Sequence, residues 1–402
     1  MYNRGMKYIA RAQLEILKKV MGTPDIKVIT GVRRSGKSTL LKLFVEYVAK
    51  VVTDANIIQI DFNDIAFEDL REYHALNDYI EARHLEGRQN LVFIDEVQMC
   101  DGFERTINSL HASGKYDLYI TGSNAFLLGS DLATLFSGRV FPIEVYPFSF
   151  REYLQYMRDD GDRYQMFDKY LTDGGFAGSY IYNDVPEKVR YIAEVYDTMI
   201  LRDIEQKYGV ENATILREVG DFLMDNISRL TTANNIANVL NASRQATNNK
   251  TVSAYLDYFC RAFAFYKVKR YDIEGKNYLR SQDKYYLVDH TLRYAKLGTR
   301  NMNVGNVYEN IVAMELKRRG YEVYVGTLRA GEIDFVAMKQ GSKTYIQVSY
   351  DVGEEETFSR EVKPLLGIKD AYPKMLIART RQSEYQHEGV RVVDIADWLA
   401  EG

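Results

Sequence analysis

The chain has 402 residues, 46% of them hydrophobic and 27% charged, which excludes disordered, fibrous and disulfide-scaffold classes and is enough for about two or three domains with real cores. Its two cysteines, Cys100 and Cys260, match no zinc, redox or disulfide spacing and read as packing residues of a reducing compartment. The formal net charge of -4 announces no nucleic-acid partner at the level of the whole molecule, so local charge has to be read instead.

The opening stretch MYNRGMKYIARAQLEILKKV is an amphipathic helix pattern broken by charge, without the apolar centre of a signal peptide. No later stretch is apolar enough to span a bilayer, so a cytoplasmic protein with no membrane partner is expected. The β-branched run Ile26, Val28, Ile29 then feeds a glycine loop that opens a helix, and the loop satisfies G-x-x-x-x-G-K-[ST] at every fixed place. In that pattern Gly31 and Gly36 let the main chain approach a triphosphate, with Arg34, Ser35 and Thr39 completing the cradle. Lys37 is expected on the β- and γ-phosphates and the Ser38 hydroxyl on Mg²⁺, which makes ATP and Mg²⁺ the expected cofactors.

A buried strand pattern follows at 57–62, a helical stretch at about 67–83, and then NLVFIDEV, an apolar run ending in Asp95 and Glu96. Asp95 is placed to hold the Mg²⁺ shell and Glu96 to orient and deprotonate the attacking water. The next strand, YDLYIT, ends at Gly122, Ser123 and Asn124, and Arg139 precedes a further strand. The ITGSN segment resembles the sensor-1 element of AAA-type ATPases, which makes Asn124 a candidate contact to the water or the γ-phosphate; a simple helix cap is the alternative. Arg139 reads equally as a surface ion pair or as an arginine neutralising transition-state charge in its own or a neighbouring subunit of an oligomer.

Beyond 148 the apolar spacing is helical to about 208, the pattern of a lid. Two short amphipathic helices around the turn Asn241-Ala242-Ser243, then strands at 263–270 and 284–289, read as a winged helix. Between Arg229 and Arg300 stand thirteen Lys or Arg against five Asp or Glu, with Arg244 and Lys250 as the candidate phosphate contacts. The glycines between 298 and 305 read as a linker. A helix carrying Glu309 then precedes strands carrying Asp334 and Gln347, an order that resembles the restriction-endonuclease core. That resemblance implies a helical Glu, a strand Asp and an E/Q-x-K triple around a divalent metal. The lysine place holds Ser349, so a degenerate site that binds rather than cuts is expected, with Glu309, Asp334 and Gln347 as hydrogen-bonding core residues; Lys343 lies six residues along the strand, too far to share one metal site, and Lys363 approaches only if its helix packs against that strand end.

Taken together, GVRRSGKSTLL, FIDEVQ, LYITGSNAFLL, LFSGRVFPIEVYPFSFREYL and DKYYLVDHTLRYA resemble a widespread prokaryotic family of AAA-type P-loop ATPases with a C-terminal endonuclease-like region. The expected fold is α/β: a P-loop core at 1–147, a helical lid at 148–210, a winged helix at 211–298 and a degenerate nuclease-like domain at 303–402. The expected function is ATP hydrolysis coupled to nucleic-acid binding or remodelling. An ATP-gated switch acting on a protein client is the alternative, and an ATP-dependent nuclease is disfavoured by Ser349.

Overall fold

The computed structural model describes residues 8–9, 11–122, 136, 138–158, 161–243, 246–275, 277–298, 303–329 and 331–401. They fall into two compact units, Met1–Tyr146 and Pro147–Gly402.

In the first unit, Ala12–Val20 (α1) leads to the strand Ile26–Thr30 (β1), and Lys37–Val51 (α2) leads to Ala55–Asp61 (β2). Tyr73–Glu81 (α3), Gln89–Asp95 (β3), Phe103–Ser113 (α4), Tyr116–Thr121 (β4) and Val140–Glu144 (β5) follow. All pairings are parallel and the order is β2-β3-β4-β1-β5, so β4 lies between the phosphate-loop strand and the strand that carries Asp95. A parallel sheet covered on both faces requires continuous apolar strands. Accordingly β1 is buried along its whole length and β3 in all but its first residue.

One face packs Leu40, Leu41, Phe44 and Val48 of α2 with Leu14 and Leu17 of α1 onto Phe93 and Tyr119. The other packs Leu76, Ile80, Ile107 and Leu110 of α3 and α4 onto Ile58, Ile60 and Ile94. Phe44 sits 5.0 Å from the Tyr119 ring and 6.1 Å from that of Phe93. Truncating such a buried ring to alanine costs about 3–5 kcal/mol. Lys27 is buried in β1 because Asp117 of neighbouring β4 holds its ammonium at 2.5 Å.

The second unit starts with helices Phe150–Met157 (α5), Arg163–Asp173 (α6) and Val185–Thr198 (α7), the last continuing through a π-helical stretch, Met199–Glu205. Ser149 and Glu152 close a reciprocal capping box on α5. Ala213–Asp225 (α8), Ala233–Ala242 (α9) and Asn249–Arg261 (α10) precede the hairpin Phe265–Asp272 (β6) and Asn277–Leu287 (β7). Thr291–Leu297 (α11) and Val304–Arg318 (α12) come next, followed by strands Glu322–Leu328 (β8), Gly331–Lys339 (β9) and Ser342–Ser349 (β10). Glu355–Leu366 (α13), Lys374–Ala378 (β11), Tyr385–His387 (β12), Val390–Asp394 (β13) and Ile395–Ala400 (α14) complete the chain.

Eight of these strands form one sheet in the order β12-β13-β11-β10-β9-β8-β6-β7. The boundary expected between 298 and 303 runs through this sheet. The hairpin read as a wing joins the strands that follow it, because β6 pairs in parallel with β8. The helix on the far side of the expected linker is bonded to the same hairpin: Asn310 of α12 accepts from the Leu287 N–H at 2.7 Å and donates to the Leu287 carbonyl at 3.0 Å. The glycines near 298–305 therefore mark only where α11 ends and α12 begins. The second hairpin strand also starts at Asn277, seven residues before the expected position, because Asp272 accepts from the N–H groups of Glu274 and Gly275 and tightens the turn.

Candidate nucleotide site

The loop between β1 and α2 gets its shape from backbone conformations that side chains disfavour. Gly31, Arg34 and Gly36 all have positive φ, at 131°, 66° and 96°. At Gly31 only glycine fits, because a Cβ would lie 2.1 Å from the Val145 carbonyl oxygen. Gly36 caps α2 without a side-chain partner, so the first-turn N–H groups face the loop with no capping oxygen. Positive-φ residues interspersed in such a loop turn main-chain N–H groups toward a common concavity suited to an anion. Lys37 is buried there and donates to the carbonyls of Gly31 at 2.9 Å and Val32 at 3.2 Å. The Ser35 hydroxyl is buried without a hydrogen-bond partner among the described residues, Arg34 is exposed, and Thr39 is half-buried.

Asp95, at the C-terminal end of β3, faces this loop across β4. Thr121, the last residue of β4, donates its hydroxyl to Asp95 Oδ1 and accepts the Glu96 N–H at 3.0 Å. Asp95 Oδ2 is buried with no hydrogen-bond partner among the described residues. Burial is the main reason its carboxyl is held above the ordinary aspartate range; the Thr121 and Ser38 hydroxyls pull it down, and the charges of Glu96 and Asp61 push it up. A buried carboxylate oxygen without a donor, beside a serine hydroxyl at a helix start, is the oxygen donor set that suits Mg²⁺. Glu96 stands in the left-handed region at φ 56°, and its carboxylate accepts from Gln98 Nε2. Strain of this kind concentrates at functional positions.

Two residues of this site were missed in the sequence. Thr121 ends the strand pattern, and its hydroxyl, in the same five-residue ITGSN segment as the expected sensor, is a usable signal. Arg11 was read as part of a helix pattern, yet its buried guanidinium donates to the carbonyls of Ser35 at 2.9 Å and Tyr146 at 2.8 Å, clamping the loop apex to the strand beside it. Nothing in its local sequence signals that contact.

Arg139 requires a correction. It precedes the first residue of β5, which runs parallel to β1 with Val140 opposite Ile26, so it lies at the end of the sheet away from the loop. Five residues at ~3.3 Å each separate the two levels by roughly 16 Å, too far for it to reach its own subunit's phosphates. Arg139 is exposed there. Asn124 and Arg244 lie outside the described residues.

In the second unit, Glu309, Asp334 and Gln347 are brought together, but around a group the sequence did not suggest. Lys284 of β7 places its ammonium 2.9 Å from Glu309, 2.6 Å from Glu332 and 3.9 Å from Asp334. The nearby lysines are elsewhere: Lys343, as its distance along the strand implies, donates to the Tyr271 hydroxyl at 2.7 Å, and Lys363 lies on exposed α13 surface. The basic excess of 229–300 is also partly consumed. Arg261 pairs with Asp257, Lys267 with Asp283, Arg293 with Asp225 and Lys296 with Asp197, while Lys250 stays exposed in the first turn of α10. Both cysteines are free, and burial pushes each thiol up to about 12. No helix among the described residues is long and apolar enough to cross a membrane.

A parallel sheet with a phosphate loop after β1 and a carboxylate pair after β3 defines an AAA-type P-loop ATPase. Residues 23–154 match the family model described as an AAA domain, and residues 164–303 match one described as a domain of unknown function. The chain is 38% identical over 391 residues to an uncharacterised protein of Haemophilus influenzae, covering 96% of this chain and 97% of that one. It belongs to the same family as that protein. The uncharacterised protein MJ1544 of Methanocaldococcus jannaschii is 27% identical over 392 residues, covering 92% of this chain and 85% of that one. Among solved structures, the Aeropyrum pernix ORC1 protein in complex with DNA aligns at 10% identity and a TM-score of 0.32, covering 72% of this chain and 92% of that one. AMPPCP-bound DnaA from Aquifex aeolicus aligns at 16% identity and 0.31, covering 61% of this chain and 84% of that one.

Proposed function

We propose that the protein hydrolyses Mg-ATP at the β1 loop. The observation that carries this reading is the Asp95 carboxylate, one oxygen locked by Thr121 and the other buried beside Ser38 with no hydrogen-bond partner among the described residues, near a helix start that has no side-chain cap. In the loaded site Lys37 exchanges its two carbonyl partners for β- and γ-phosphate oxygens, and the Gly31, Arg34, Ser35, Gly36 and Thr39 segment wraps the chain of phosphates. Ser38 and Asp95 hold Mg²⁺, which supplies charge neutralisation of the β/γ oxygens. Glu96 orients the attacking water and takes its proton. Asn124 follows β4 closely enough in sequence to contact the same water, and Arg139, remote from its own site, serves a neighbouring subunit.

The assignment of segments accompanies this reading: a lid at 148–210, winged-helix elements at 211–298 and a nuclease-like fold at 303–402, the last two sharing one sheet through β6 and β8. Three helices followed by a hairpin support the second. A helix before three antiparallel strands and a crossover through α13 supports the third. We assign nucleic acid as the partner of the basic segment, with Lys250 and Arg244 on phosphates. The ion pairs that consume Arg261, Lys267, Arg293 and Lys296 favour a second reading, an ATP-gated switch with a protein client.

The hydrolytic reading is tested by titrating fluorescent ATP into Lys37→Ala and Glu96→Gln. Glu96→Gln should keep Mg-ATP bound while turnover falls by about a hundredfold or more, and Lys37→Ala should lose both. Equal loss of binding in the two variants would remove Glu96 from catalysis. For the partner, turnover is measured with and without duplex, single-stranded and branched DNA. DNA binding whose log-salt slope flattens by about one unit in Lys250→Ala supports the first reading; no binding by the wild type at low salt transfers the assignment to a protein client.

A further inference from the structure

The nuclease-like resemblance assigns a divalent metal to Glu309, Asp334 and Gln347, and the residues present do not fit one. Three carboxylates converge from two elements: Glu309 from α12, and Glu332 and Asp334 from alternate positions of β9, which share one face of the sheet. The space between them is filled by an ammonium. Lys284 is only 4% exposed, and its nitrogen lies within 2.9 Å of both glutamates and 3.9 Å from Asp334.

The remaining donors of the expected set are committed as well. Glu309 Oε1 also accepts from the Tyr286 hydroxyl at 2.7 Å, and Tyr286 is two residues from Lys284 on the same face of β7. Asp334 Oδ2 accepts from the Val348 N–H at 2.8 Å. Gln347 turns its oxygen to the Asp334 N–H at 3.3 Å and its amide nitrogen to Glu361 at 3.0 Å. Ser349 donates to the Asp351 carbonyl at 2.9 Å.

We infer that Lys284 is the built-in counter-ion of this cluster: it occupies the volume a divalent cation would take, so the site is closed to metal and the unit does not cleave phosphodiesters. A hard divalent ion needs several oxygens at about 2.0–2.6 Å, and the ammonium nitrogen already sits at 2.6 to 2.9 Å from two of them. The two cations cannot share the space, because at contact distance their repulsion in a buried site far exceeds what one carboxylate can offset. An ammonium has three donors and no empty orbital. It offsets one of the carboxylate charges, where a divalent metal would offset two, and it cannot bind and polarise a water. The raised protonation range of Lys284, which its three acidic neighbours produce against the opposing effect of burial, keeps it charged throughout the working pH range.

The test uses the nucleotide-free full-length protein and Mn²⁺ as the probe, with bound metal read by electron paramagnetic resonance and thermal unfolding followed in parallel. Any Mn²⁺ at the nucleotide loop is common to all variants, so the reading is the part that depends on Asp334. Wild type and Asp334→Asn should take up the same amount of Mn²⁺, and neither should nick supercoiled DNA. Lys284→Met should unfold several degrees lower and regain that loss in Mn²⁺, with one added site that disappears in Lys284→Met/Asp334→Asn. Wild-type Mn²⁺ binding or DNA cleavage that is abolished by Asp334→Asn overturns the inference. So does a folded Lys284→Met that gains no site. Should Lys284→Met fail to fold, the wild-type comparison with Asp334→Asn decides by itself.

Discussion

Thr121→Val isolates the bond that holds the two candidate catalytic carboxylates in place. The substitution keeps the shape of a fully buried side chain and removes one hydroxyl, which donates to Asp95 and accepts the Glu96 N–H at 3.0 Å. Losing a hydrogen bond to a charged group costs about 1.5–3 kcal/mol, and leaving the Glu96 N–H unpaired adds roughly 1 kcal/mol or more. Glu96 is then free to relax from φ 56°, a conformation that itself costs roughly 1–2 kcal/mol. At about 1.4 kcal/mol per tenfold in rate, a loss of about 2.5–4 kcal/mol carried into the transition state lowers kcat by about 60-fold to 700-fold. The pH profile adds a signature that general damage would not. Thr121 lowers the Asp95 carboxyl, which burial has raised; without the hydroxyl it rises further, and the ionised form needed for Mg²⁺ appears only at higher pH. The acidic limb of kcat/KM should therefore move to higher pH. Steady-state phosphate release across the pH range measures both effects. An unmoved acidic limb with kcat within about twofold of wild type would refute the assignment of Thr121 as the residue that positions Asp95 and Glu96.

Asp95→Asn should abolish turnover yet raise the unfolding temperature of the nucleotide-free protein near neutral pH. A carboxyl whose folded-state pKa is raised favours folding below its unfolded value and loses that contribution as pH rises through the folded value, so the gain should vanish in acid. Arg11→Ala removes two buried charge-assisted hydrogen bonds, and differential scanning calorimetry should report a loss of about 2–4 kcal/mol. ATP affinity should weaken with it, while Arg11→Lys should recover part of both, and unchanged affinity would confine Arg11 to folding. Gly31→Ala should fail to bind nucleotide even where it folds, because its Cβ would lie 2.1 Å from the Val145 oxygen at φ 131°; near wild-type binding by equilibrium dialysis would show that the loop has another shape.

Contiguous chemistry was legible in the sequence. The loop from Gly31 to Thr39 is one unbroken stretch whose backbone needs and side-chain needs coincide, and the apolar run ending at Asp95 and Glu96 reports a strand buried on both faces. Both survive as local signals because neither depends on where the rest of the chain goes. The contacts decided by tertiary structure join positions distant in the chain: Arg11 to Tyr146 across 135 residues, Thr121 to Asp95 across 26, and Lys284 to Glu309 across 25. In the sequence Lys284 counts toward a basic surface; in the sheet it is a buried counter-ion, because the pairing of β6 with β8 places the hairpin against α12 and β9. Arg139 likewise stands in a motif beside the site but is carried to the opposite end of the sheet by the direction of β5. Charge and composition are properties of residues, whereas a charge's partner is a property of register and strand order, and those are set by the packing of the whole sheet.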